Sequence, residues 1–140
     1  MSLPTKLQLQ IVSAERSLVN ELVDEVEIPG AEGYFGVLPG HTPLLVTLGG
    51  GELWYRVGSE KRYFAIGFGF AEVQPDRVTI LTRIGEAAEE IDLARAEAAK
   101  KRAEERIAKA AVDIDAERAR IALLKSMIRI QVGSRSRIES

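Results

Sequence analysis

The residues best suited to chemistry lie in IDLARAEAAKKRAEER, residues 91–106, where Arg95, Lys100, Lys101, Arg102 and Arg106 punctuate a run of strong helix formers. Arg95 and Arg102 are seven residues apart, so a helix puts them on one face. Two guanidinium forks placed that way could clamp an anion such as a nucleotide phosphate. The more ordinary alternative is a solvated face of glutamate and arginine pairs at helical spacing. Other candidates fail on context. The glycine clusters are followed by neither Lys-Ser nor Lys-Thr, and none stands between a strand and a helix, so no phosphate-binding loop or dinucleotide fingerprint is present. His41 is the only histidine and has no metal-ligand partner at a useful spacing. A ring bonded to the backbone of a tight Pro-Gly-His turn accounts for it. The acidic pairs Asp24 and Glu25, Glu89 and Glu90, Glu104 and Glu105, and Asp113 and Asp115 stand in charged, solvated surroundings that would not split their pKa values. Arg118, Arg120, Lys125 and Arg129 make the end of the chain basic. They suit either an acidic protein surface or an ordinary exposed face.

The whole chain narrows the classes further. Its 140 residues suit one domain, or a small domain with an appendage. A net charge of -2 argues against a general nucleic-acid binder. The absence of cysteine excludes disulfides, thiol nucleophiles and cysteine-ligated zinc. The N-terminus lacks the apolar core of a signal peptide, and no run reaches the ~18 apolar residues of a membrane span. The expected location is therefore cytoplasmic, with any membrane association made through a partner.

Residues 1–85 predict an all-β sandwich of eight to ten short strands separated by turn signals. Leu7, Leu9 and Ile11 alternate with Gln8 and Gln10. A strand-like run covers Leu18 to Ile28, and others cover Glu52 to Val57, Arg62 to Val73 and Arg77 to Thr82. Gly67 and Gly69 point to a bulge or a close backbone approach within the Arg62 run. Between Gly30 and Leu48 the chain packs glycine and proline turns around a short strand, Tyr34 to Leu38, then enters a strand read as buried, Leu44 to Leu48.

Residues 86–140 change character. From Glu86 to Ile130 there is neither glycine nor proline. Asp92 stands at an N-cap position. Ile91, Ala96, Ala99, Ala103, Ile107 and Ala110 form one apolar stripe, and Ile114, Ile121, Leu124 and Ile128 a second. We read an antiparallel two-helix hairpin that breaks near 111–114, with one continuous helix as the alternative. Gly133 is expected to end the last helix and leave a mobile tail. The overall class is therefore α+β. A mostly alanine interface buries little apolar area, so the hairpin should be weakly held and able to move.

GAEGYFGVLPGHTPLL, then AIGFGFAEVQPDRVTIL, then IDLARAEAAKKRAEERI, resemble the epsilon-subunit family of bacterial and organellar F-type ATP synthases over nearly the whole chain. The resemblance implies a non-catalytic rotor subunit of the central stalk. It implies partners in the gamma subunit, the membrane ring of c subunits, and the catalytic beta and alpha subunits. The Ala31, Glu32, Gly33, Tyr34 turn would face the ring. The hairpin would act as a brake on ATP hydrolysis, with Arg118, Arg120, Lys125 and Arg129 meeting an acidic segment of beta. No cofactor is required. ATP is implied as a regulatory ligand of the folded hairpin, at Ile91, Asp92, Arg95, Ala96 and Arg102, with Glu86 as a further contact.

Overall fold

The computed structural model describes residues 3–109 and 113–139. The protein divides into two compact units, Met1–Ala87 and Ala88–Ser140.

The first unit is built from eight strands: β1 (Leu7–Ser13), β2 (Ser17–Val23), β3 (Glu25–Gly30), β4 (Gly33–Val37), β5 (Leu44–Thr47), β6 (Gly51–Val57), β7 (Glu60–Gln74) and β8 (Arg77–Ala87). The hydrogen-bonded order is β2-β1-β8-β7-β6-β3-β4, with β5 also on β7. All neighbours are antiparallel except β1 and β8. The sheet folds over itself because β7 serves both layers. Its first half pairs with β6, and its second half pairs with β5 on the same side. Inward-facing residues line up across the strands, as in the row Ala71, Ile80, Ile11, Val19. Rows from both layers merge into one buried cluster.

The Leu18 to Ile28 run resolves into two strands that belong to different layers. The chain crosses at Asp24, whose N–H donates to the Arg56 carbonyl (2.8 Å). Its carboxylate accepts from Lys6 Nζ and from the Gly58 N–H (2.7 Å). The hydrogen bond from Lys6, then that from Gly58, holds this carboxyl below its ordinary 3.8. A depressed folded value stabilises the fold above 3.8, and that contribution is lost as pH falls through the folded value. Asp24→Asn should therefore be less stable than the parent at neutral pH, and the gap should close as pH falls below 3.8. Urea titrations of both proteins across pH 7 to 3 measure it; a gap independent of pH would disprove the linkage.

The strand from Leu44 is not buried as expected. Leu45 is 70% exposed and Leu44 42%, because β5 is an edge strand with one neighbour. Leu48, just past β5, carries the burial instead.

In the second unit a single 3-10 turn (Ala88–Glu90) precedes α1 (Leu93–Lys109) and α2 (Asp113–Glu139). Asp92 caps α1: its Oδ1 accepts the Arg95 N–H at 3.0 Å. The two helices are antiparallel, since Gly133 near the end of α2 lies against Ile91 and Leu93 at the start of α1. That contact rules out one continuous helix. Residues 111 and 112 of the expected break at 111–114 lie outside the described residues, as does Ala110, and so does the side chain of Ile114.

Two sequence expectations are corrected here. Gly133 does not end the helix, which continues to Glu139, so the expected mobile tail is helical up to that point. A Cβ at Gly133 would come within 2.8 Å of Leu93 and 2.9 Å of Ile91, so the glycine is there for close approach rather than termination. The second stripe also shifts. Ile121 and Leu124 are exposed, whereas Ala119, Ser126, Ile128 and Val132 are buried. Ser126 is accommodated because its hydroxyl donates to the Ala122 carbonyl at 2.9 Å.

Candidate functional site

Two surfaces of the sandwich and two of the hairpin carry the candidate residues. At one end of the sandwich, β3 turns into β4 through Ala31 and Glu32, and Ala31, Glu32, Gly33 and Tyr34 are all exposed. The turn is tied down from below. The Ala31 N–H donates to the Thr47 carbonyl and the Gly49 N–H to the Pro29 carbonyl, both at 2.9 Å. Gly33 has φ of 138°, which a residue with a side chain would rarely adopt. The result is a fixed, solvent-facing corner with one acidic side chain.

The second surface was missed in the sequence. On the outer face, Val12, Leu81, Phe70 and Thr47 stand side by side across four strands. Phe70 is 55% exposed and Leu81 52%. They edge a cleft of about 310 Å³ that also takes in Ser13, Phe68 and Arg83. Phe68 has φ of 65°, uncommon for a bulky residue. The kink is held by Thr82, whose hydroxyl accepts the Gly67 N–H at 3.0 Å and lies 2.6 Å from the Ile84 carbonyl. Strict alternation would have revealed the patch. Phe70 and Leu81 are out of phase with the inward Ala71, Val73, Val78 and Ile80, so they must face out.

In the hairpin, Ile91 and Ala96 are buried while Asp92, Arg95 and Arg102 are exposed. Ala96 and Ala103 fill the buried side of α1, and Arg95 and Arg102 stand one residue to its edge, together on one face. Asp92 is committed to capping. Glu86 belongs to the other unit, at the end of β8 opposite Ala65. On α2, Arg118, Lys125 and Arg129 fall on one face by spacing, but Arg120 does not share it and pairs with Glu117 at 3.4 Å. Exposed Ile121, Leu124 and Met127 lie on the helix surface beyond them. His41, as expected, uses its ring locally: Nδ1 donates to the Thr42 carbonyl at 2.6 Å.

The family described as "ATP synthase, Delta/Epsilon chain, beta-sandwich domain" matches residues 6–88, and "ATP synthase, Delta/Epsilon chain, long alpha-helix domain" matches residues 89–133. The chain belongs to this family. Among its relatives, the ATP synthase epsilon chain of Syntrophobacter fumaroxidans is 47% identical over 131 residues, covering 94% of this chain and 98% of the relative. That of Solibacter usitatus is 50% identical over 102 residues, covering 73% and 76%. A chain in the cryo-EM structure of the Euglena gracilis mitochondrial ATP synthase, OSCP/F1/c-ring, superposes with a TM-score of 0.83 at 26% identity, covering 94% of this chain and 82% of that one. No helix among the described residues is long and apolar enough to cross a membrane.

Proposed function

We propose that this chain is a non-catalytic rotor subunit of the F-type ATP synthase central stalk, coupling ion-driven rotation of the membrane ring to ATP synthesis. What carries the reading is the match of both family domains, in order, along the chain, with a relative 47% identical over almost its full length. The sandwich docks on two partners. The Phe70 and Leu81 cleft takes an apolar segment of gamma, because a contiguous exposed apolar patch costs solubility unless a partner covers it. The fixed Ala31 to Tyr34 corner faces the polar loops of the c ring. The subunit thus sits on the cytoplasmic face of the inner membrane through its partners. Adding the chain to an ATP synthase assembled without it should restore ATP-driven proton pumping. Assembly that leaves pumping unrestored would sink the rotor role.

The hairpin regulates. Its interface sets the small Ala96, Ala103, Ala119, Ser126 and Gly133 beside only three larger buried side chains among the described residues, Ile91, Ile128 and Val132, so releasing it costs modest free energy. When released, its Arg118, Lys125 and Arg129 face meets acidic residues of the catalytic beta subunit, next to alpha, and blocks hydrolysis. Arg120 contributes only after giving up Glu117. ATP is the regulatory ligand of the folded state, held by Arg95 and Arg102 beside Ile91, Asp92 and Ala96. Calorimetry should detect ATP binding to the full chain, and Arg95→Ala or Arg102→Ala should each weaken it about tenfold or more, since a charged hydrogen bond contributes about 1.5–3 kcal/mol. Absence of heat at millimolar ATP discards this site.

A further inference from the structure

The ladder between β3 and β6 stops at Glu27 opposite Trp54. Continued in register, it would set Pro29 opposite Glu52. It cannot continue there. Pro29 has no N–H to donate, and its carbonyl already accepts from Gly49 at 2.9 Å. Tyr34 fills the place of the strand on that side. It stands opposite Pro29 on β4, and its hydroxyl oxygen accepts the Glu52 N–H at 3.2 Å. The side chain thus reaches over β3 from β4 to β6. Gly51 makes the passage, because a Cβ there would collide with the tyrosine hydroxyl and lie 3.0 Å from Pro29.

We propose that Tyr34 is a positioning residue: its hydroxyl staples β4 to β6 where the ladder is broken, and so stiffens the Ala31–Glu32 turn that bears on its partner. This rests on the reading of that turn as facing the c ring. Tyr34 is 53% exposed, so a core-packing role does not account for it. The turn stands at the end of an edge strand with one neighbour, where an unstapled corner would swing under load.

The test uses the assembled ATP synthase with Glu32→Cys in this chain and a cysteine in the polar loop of the ring subunit, with and without Tyr34→Phe. Phenylalanine keeps the ring and removes the acceptor, so the melting temperature of the isolated chain should hold. Exchange of the Glu52 amide hydrogen should become about tenfold faster. Cross-linking to the ring should fall to about half, and ions pumped per ATP hydrolysed should fall with it. Gly51→Ala, which keeps the tyrosine but fills the place of its hydroxyl, should reproduce all three changes. Unchanged amide exchange in Tyr34→Phe overturns the staple. Faster exchange with unchanged cross-linking and pumping overturns the positioning role. Failure of Glu32→Cys to cross-link even with Tyr34 present is a different failure: it overturns the ring-facing reading and takes this proposal with it.

Discussion

Truncation after Ala87 is expected to raise ATP hydrolysis by the assembled complex about fivefold while leaving pumping coupled, a coupling free energy of about 1 kcal/mol. The cut is placed by the structure. Every residue of the sandwich core cluster lies between Leu7 and Ile80, and β8 ends at Ala87, so the truncated chain keeps its whole core and both exposed sandwich surfaces. What it loses is a hairpin whose buried side, among the described residues, combines small alanine, serine and glycine residues with only Ile91, Ile128 and Val132. Such a hairpin can shift between folded and released states at low cost, as a brake requires. Steady-state hydrolysis and proton pumping, measured on complexes reconstituted with either chain, separate the roles. Equal hydrolysis would show that this hairpin does not brake. Loss of assembly would show that the hairpin is part of the docking.

The second large effect is on stability. Gly69→Ala should destabilise the sandwich by about 3 kcal/mol, the upper range for forcing atoms into a packed site. For a unit of this size that lowers the melting temperature by about 15 °C. A Cβ at Gly69 would run into the Leu81 carbonyl oxygen and lie 2.9 Å from its carbon and 3.1 Å from the Thr82 Cα. These are backbone atoms and cannot rotate aside. They sit where β7 passes from one layer to the other beside Phe68, so relief would have to come from the kink that closes the sandwich. Gly36→Ala is the control. Nothing lies within 4 Å of its added Cβ, and its melting should stay within about 0.5 kcal/mol of the parent. A Gly69→Ala protein melting alongside that control would show that the kink relaxes freely.

Much of this molecule is legible along the chain, for reasons local to it. Leu7, Leu9 and Ile11 alternate because one face of β1 is buried and the other is not. Asp92 announces a helix because its carboxylate satisfies an N–H that the first turn leaves unbonded. The abrupt loss of glycine and proline after Gly85 separates strands from helices to within a few residues of the observed division at Ala87 and Ala88. Within LPGHTPLL the turn closes locally, with the His41 N–H donating to the Leu38 carbonyl at 3.1 Å.

What the chain could not decide is anything set by a distant neighbour. The Leu18 to Ile28 pattern is continuous, yet Asp24 divides it between two layers because Lys6 and Gly58 meet there. Leu44 and Leu45 read as core and are exposed, because burial depends on whether a second strand covers that edge. Gly133 reads as a stop signal. Against Ile91 and Leu93 it is a point of contact, and the helix passes through it. The pattern puts Tyr34 at the start of a short strand, and the resemblance puts it in a ring-facing turn. Its bond to the Glu52 N–H exists only because Pro29 interrupts a ladder between strands that the fold brings together.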